Sequence, residues 1–453
     1  MSDMNDKTQK PDFLAGPIFA PMMRFAFPLM ISLFLQAFYG GVDLAVVGRF
    51  SPTESVSAVA TGSQVMQSIT VLISGLTMGV TVLIGKASGA GDMKKAGHVV
   101  SGQISLFSVL AVLLTAAMLL FAPYAAQLMN VPAEAVDETV RYIRICSSGI
   151  VFITAYNGIS GIFRGLGDSR SPFLFALVAC FVNVVLDIVF VGAFDMKASG
   201  AALATVIAQA SSVAFSLLRI RRHPLPFSAG IGQNRRGGIA GILRIGSPIA
   251  LQDFLTNLSF LIITGIVNSL GLVASAGVGI AEKLFVFLSI VPMAFMSTLS
   301  TFVAHNIGAG NGRRAVSALR CALAVSSAFG ALMFAATCFG GGLLASLFDN
   351  DLQVISAAAE YLRGCSSEYL MISVTFCLLG YFNGREHTAF VMAQGLLSAF
   401  LVRIPLSYFL SVRPDTGMFM ISIAVPVSAL VSLLLCTAYF FFLRRKDNAA
   451  RGK

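Results

Sequence analysis

Across 55–85 the chain carries no charged side chain, and the stretches 99–133 and 416–443 are equally free of charge. A core helix of a globular protein rarely needs more than about 20 residues. Crossing the ~30 Å hydrocarbon core of a bilayer takes about 20 apolar residues at about 1.5 Å each. Helices suit that setting because they satisfy every backbone N–H and C=O within the segment. The rest of the chain agrees: 56% of residues are hydrophobic and 11% charged, against about 25% charged in a soluble domain. The sequence predicts an all-α integral membrane protein.

Apolar segments of spanning length fall at 25–47, 57–84, 99–122, 138–163, 172–194, 199–218, 245–268, 274–303, 318–346, 358–383, 388–411 and 417–443. That makes twelve transmembrane helices. With an inside N-terminus, most Lys and Arg fall on the inner side and few outside (Arg49, Arg141, Arg144, Lys197, Arg363, Arg413), with Lys283 and Arg403 left at membrane depth. Inner loops carry the basic excess, so both termini are expected in the cytoplasm of a cell (inner) membrane protein. The net charge of +10 is explained by those loops, and no nucleic-acid partner is expected. The seven cysteines show no CxxC or Cys/His spacing and read as small buried hydrophobes. The stretch 1–24 is polar and lacks a small-residue cleavage site after a short apolar core, so no removable signal peptide is expected.

The chain repeats itself at a constant offset. Gly89-Ala90-Gly91 recurs as Gly308-Ala309-Gly310, and Tyr142, Arg144, Cys146-Ser147-Ser148, Gly161, Phe163 and Gly165 recur as Tyr361, Arg363, Cys365-Ser366-Ser367, Gly380, Phe382 and Gly384. Six helices per repeat is an even number, so the halves share one orientation and should be related by a pseudo-two-fold axis along the membrane normal, as in transporters. The organisation expected is a cytoplasmic tail (1–24), an N-lobe (25–218), a cytoplasmic linker (219–244), a C-lobe (245–443) and a C-terminal tail (444–453).

Ionisable side chains at membrane depth are expensive and point to function. Asp43 lies in the first span and Asp187 in the fifth, with Asn183 one turn before Asp187 on the same face. Thr205 in the sixth span and Asn157 in the fourth add oxygen atoms. Two carboxylates, a carboxamide and a hydroxyl suit a desolvated proton or sodium ion, since hard cations prefer oxygen. The plainer alternative is that both acids lie near helix ends and reach water. Gln36 and Tyr39 share the face of Asp43. With Phe38, Tyr156, Phe254, Met293, Phe295 and Met296 they are candidates to line a soft cavity for flat cations, although such residues more often simply pack. The second half carries Asp253 and Asn257 on one face, Glu282 beside Lys283, Glu368 and Arg403. Lys283 or Arg403 paired with Asp253 or Glu282 would make a buried structural lock; ion or substrate contact is the alternative. No HExxH, Ser/His/Asp set or phosphate loop occurs, so neither an enzyme, a metal centre nor a cofactor is expected.

Taken together, the residues resemble the multidrug and toxic compound extrusion (MATE) transporters from Pro28 to about Phe442. The carriers are Pro28-Leu29 through Gln36, Val42-Asp43 and Val47-Gly48; Ile84-Gly85 through Gly89-Ala90-Gly91-Asp92; Arg164-Gly165-Leu166-Gly167-Asp168; Asn183-Val184-Val185-Leu186-Asp187; Gly200-Ala201-Ala202 with Ala204-Thr205; and Asn306 to Gly310. The resemblance implies two six-helix lobes and export of organic cations and amphipathic compounds in exchange for protons or sodium. It implies drug-like small molecules as partners; membrane lipid is the other partner expected, and the chain is expected to act as a monomer. In the DNA-damage-inducible branch of that family the cation site maps onto Asp43, Asn183, Asp187 and Thr205, and a helix hinge onto Pro28. Another branch uses a second-lobe glutamate in the seventh span; here Thr256 stands near that place, with Asp253 almost a turn earlier. A flippase for lipid-linked saccharides on a related scaffold is the alternative function, and it would want a cationic interior.

Overall fold

The computed structural model describes residues 12–129, 131–227, 235–268, 270–413 and 417–451. The ends of both expected tails (1–11, 452–453) and the middle of the expected linker (228–234) lie outside the described residues. Among the described residues ten helices are long and apolar enough to cross a membrane, and two bent helix pairs bring the number to twelve if each pair is one span. In chain order they are α1 (Phe19–Phe50), α2 (Thr53–Gly89), α3 (Met93–Leu128), α4 (Ala133–Ser148 with Ile150–Gly165), α5 (Arg170–Ala193) and α6 (Lys197–Arg222). After the linker come α7 (Arg235–Val267), α8 (Leu272–Gly308), α9 (Gly312–Ala345), α10 (Leu352–Cys365 with Glu368–Gly384), α11 (Thr388–Ser411) and α12 (Met418–Ala449). No strand occurs among the described residues.

Several helices extend past their apolar runs, α1 from Phe19 and α9 from Gly312, because helical hydrogen bonding does not stop where the hydrocarbon does. Caps mark some ends. Asp92 accepts from the Lys95 amide (2.9 Å) at the start of α3, and Asp351 from the Gln353 amide (2.8 Å) before α10. The repeated Cys-Ser-Ser motif lies where the fourth span of each half bends, by 47° at Gly149 in α4 and by 50° at Ser366-Ser367 in α10. Small and hydroxylated residues at such places loosen the backbone ladder. Among the described residues two π-helical stretches occur, one ending α5 at Ile188–Ala193 and one inside α11 at Leu397–Arg403.

The chain forms two compact units. Unit 1 comprises Met1–Leu243 and Thr301–Ala318; unit 2 comprises Arg244–Ser300 and Leu319–Lys453. Within unit 1, Val47, Ala58, Val59, Tyr142, Ile150, Ala198 and Ala201 form a core where α1, α2, α4 and α6 meet. Within unit 2, Val267, Val278, Ala281, Ala358, Leu362 and Val425 do the same for α7, α8, α10 and α12. Large apolar side chains such as Leu128 and Phe339 lie exposed, as expected of surfaces that face acyl chains and not water.

The Gly-Ala-Gly repeats both form tight turns, with Gly91 at φ +72° and Gly310 at φ +75°. Both turns fall in unit 1, and there the ends of α2 and α8 cross backbone to backbone. A Cβ on Gly89 would overlap the carbonyl of His305, and a Cβ on Gly308 would overlap that of Lys86.

Candidate functional site

In unit 1, α1 delivers Asp43, α5 delivers Asn183 and Asp187, and α6 delivers Thr205. The first three are 5%, 1% and 0% exposed, so neither acid reaches water through a helix end. The Thr205 hydroxyl donates to Asp43 Oδ2 (3.3 Å), and Asp187 and Asn183 lie beside the Asp43 carboxyl. Yet among the described residues no donor meets Asp43 Oδ1 or either oxygen of Asp187, and the Asn183 amide finds no partner at either end. Two neighbouring carboxyl groups away from water repel strongly when both are charged. A proton between them, or a small cation bound by the facing oxygens, resolves the arrangement. The donor set is two carboxylates, an amide oxygen and a hydroxyl, which fits sodium or a proton. Among the described residues no cluster of three or more His, Cys, Asp or Glu suits a metal centre.

Local sequence explains how these groups come to face one another. Pro28 lies inside α1 and cannot donate to the carbonyl one turn back. On that face the Ser32 hydroxyl donates to Pro28 O (3.0 Å) and the Gln36 amide to Ser32 O (3.2 Å). Gln36 is thus engaged with its own helix. Asp187 is the last α-helical residue before the π-helical stretch of α5, a local widening frequent at functional sites.

The other first-half candidates have separate surroundings. Tyr39 accepts from the Gln209 amide (3.4 Å), and Phe38 is exposed, stacked on Phe34. Tyr156 is packed in a core with Phe163, Phe175 and Val213, and Asn157 donates to Ile153 O (2.9 Å) within α4. Tyr142, which sequence reasoning did not single out for the site, feels the field of both acids. It is 2% exposed and lies within electrostatic reach of both Asp43 and Asp187. Its place in the internal repeat was its signal, since a residue kept in both halves at a helix bend marks a fixed packing position.

Unit 2 holds its own buried charges. Arg403 pairs with Glu368 (Nη2 to Oε1, 3.9 Å), so the expected pairing of Arg403 or Lys283 with Asp253 or Glu282 is replaced by a different one. The bend in α10 is the reason. It makes Glu368 the first residue of the second half of that helix, where a helix N-terminus favours an acid. Arg403 Nε donates to Ser428 Oγ (2.9 Å), and the guanidinium lies 4.8 Å from the centre of the Phe260 ring. Glu282 instead accepts from Thr264 (2.8 Å), while Lys283 is exposed. Asn257 is exposed and donates to Asp253 O (3.0 Å) in its own helix; Asp253, Phe254 and Met296 are half-buried.

Comparison with known proteins adds four findings. The family description MatE matches residues 28–189 and again 248–409, one copy in each half of the internal repeat. The chain is 26% identical over 432 residues to the probable multidrug resistance protein YpnP of Bacillus subtilis (strain 168), covering 95% of this chain and 96% of that protein. It is 23% identical over 431 residues to the multidrug export protein MepA of Staphylococcus aureus (strain bovine RF122 / ET3-1), covering 93% and 94%. Its fold matches a crystal structure of MATE in complex with MaL6 with a TM-score of 0.90 at 20% identity, over 98% of this chain and 100% of that one.

Proposed function

The chain belongs to the MatE family of transporters, and on that premise we propose that it is a multidrug efflux antiporter. It exports small organic cations or amphipathic molecules from the cell in exchange for protons or sodium. It sits in the inner membrane as a monomer with both termini in the cytoplasm, the side its basic loops favour. The observation that carries this reading is the facing pair Asp43 and Asp187, sealed from water with Asn183 and Thr205 beside it and with unfilled oxygens. This is also the set of residues that the DNA-damage-inducible branch would use.

Coupling follows from charge. With an ion between them the two acids are neutralised and can be drawn together. Without it they repel, and α1, which carries Asp43, has its weakest hydrogen bonding at Pro28. Ion binding therefore favours one shape of α1 and ion release the other. Exchange results if substrate prefers the shape that the ion disfavours, since a ligand shifts an equilibrium only by its differential affinity. Alternating access then needs no direct contact between substrate and ion.

The flippase alternative has no supporting observation: the ionisable groups that α1 and α5 bring to the site are acids, and a phosphate would need cations there. The test is Asp43→Asn in proteoliposomes with pH and sodium gradients imposed separately. Drug export driven by one gradient in the parent and lost in the variant supports the reading. A variant that exports with the same dependence as the parent refutes it. Ethidium retention in expressing cells is the companion readout.

A further inference from the structure

The stretch before α1, expected to be only a polar tail, contains a well-packed strap. The Phe13 side chain is 3% exposed, with its ring 5.5 Å from Phe25 of α1 and 5.0 and 5.2 Å from Phe302 and His305 near the end of α8. Its backbone is held by a single fork. Arg314, in the first turn of α9, donates from Nε to Phe13 O (2.9 Å), from Nη1 to Gly16 O (2.8 Å) and from Nη2 to Ala15 O (2.8 Å). Asn306 adds a fourth bond to Phe13 O (3.1 Å). Asp12 keeps the strap bent by accepting from the amides of Leu14 (2.9 Å) and Ala15 (3.2 Å).

The position of this strap gives it meaning. Asn306 and Arg314 flank the second Gly-Ala-Gly turn, next to the place where α8 crosses α2 at Gly308 and Gly89. That crossing allows no side chain between the two backbones. It joins a piece of the second half of the sequence, Thr301–Ala318, to unit 1, where the ends of α2, α3 and α9 carry Lys86, Lys94, Arg313 and Arg314. Four hydrogen bonds and a buried ring hold the strap between α1 and the facing ends of α8 and α9, beside that seam. Three of the bonds come from one arginine, so release of one side chain frees most of the strap at once.

We propose that residues 12–17 form a latch on the cytoplasmic face, locked by Arg314 and Phe13, which must release for the α2–α8 seam to part and admit substrate from inside. This rests on the export reading above and adds to it the element that gates the inner side. A latch and a permanent brace share every contact just described and differ only in whether they move during the cycle.

The first of two measurements tests whether the strap holds the seam shut and the second separates latch from brace, both in the full chain with its seven native cysteines replaced. In the first, Ala304→Cys, fully buried beside Gly85 in the seam, is labelled by an impermeant maleimide applied from the cytoplasmic face. Adding Phe13→Ala or Arg314→Gln should raise the labelling rate about tenfold or more, as expected for a closed state weakened by about 1.4 kcal/mol or more; an unchanged rate overturns the latch. This readout needs no transport, so it stands or falls apart from the export reading. In the second, the exposed Ala15 and Ser317 are replaced by cysteine and joined with a bis-maleimide whose spacer contains a reducible disulfide. Tethered protein should lose export about tenfold or more and regain it when the spacer is reduced, as expected when a gating step is blocked. Equal export with the tether intact and cleaved overturns the proposal.

Discussion

Asp187→Asn keeps the shape of one member of the facing acid pair and removes its charge. In the parent with its coupling ion withheld, two unit charges about 4 Å apart repel by about 4 kcal/mol at an effective dielectric of about 20. An acceptor left unmade at Asp43 Oδ1 adds about 1–3 kcal/mol. The amide ends the repulsion and offers Asp43 Oδ1 a donor. The parent should therefore be stabilised by about 4 kcal/mol when sodium or protons are supplied, while the variant should change by less than about 1 kcal/mol. The buried cysteines Cys146, Cys180, Cys365, Cys377 and Cys436 supply the assay. A thiol-reactive fluorogenic dye reports their exposure as the detergent-solubilised protein is heated, with ion present or withheld. Export by the variant should be lost although its folding is intact. A variant as ion-dependent as the parent, or a parent indifferent to both ions, would refute the argument from facing charges.

Three further outcomes follow from other parts of the molecule. Arg403→Gln leaves Glu368 buried without a counter-charge and should cost about 3–5 kcal/mol of stability; Arg403→Gln with Glu368→Gln should recover most of it in the same dye assay. Gly308→Ala drives a methyl group into the backbone of α2, so expression of folded protein should fall sharply, whereas Gly340→Ala, with open space around it, should behave as the parent. His387, in the turn between α10 and α11, has its pKa lowered by burial first and by the Arg385 guanidinium second. The folded protein thus keeps it neutral while the unfolded chain protonates near pH ~6.5. Its contribution to stability is complete above that pH and is lost as pH falls toward the folded value. Melting followed from about pH 7.5 to about pH 5.5 should fall less steeply in His387→Gln.

Much of this architecture can be read directly from the residues. The charge-free run 55–85 becomes α2, and the segment 388–411 is a helix over the same residues despite Arg403 in its interior. The acid pair was also legible, because a carboxylate amid apolar helix has few explanations and two with matched oxygen neighbours have fewer. The partner of Arg403 was not, since three acids compete for it and a bend at Ser366-Ser367 decides among them. The π-helical stretches left no trace, as no residue type compels an i to i+5 bond. Phe13 did leave one: an isolated aromatic side chain in a polar stretch gains little by remaining in water. Its partners Phe302 and His305 belong to the other half of the sequence, beyond the reach of any local pattern.

The allocation of Thr301–Ala318 to unit 1 bears on how this protein could be divided. A cut in the linker looks natural, because the MatE description matches once on either side of it. The fragment before the cut would nevertheless lack the segment that seats Phe13 and faces Gly89, and the fragment after it would carry that segment with nothing to cover it. Co-expressed fragments would have to interlock to complete either one, and neither should persist when made alone.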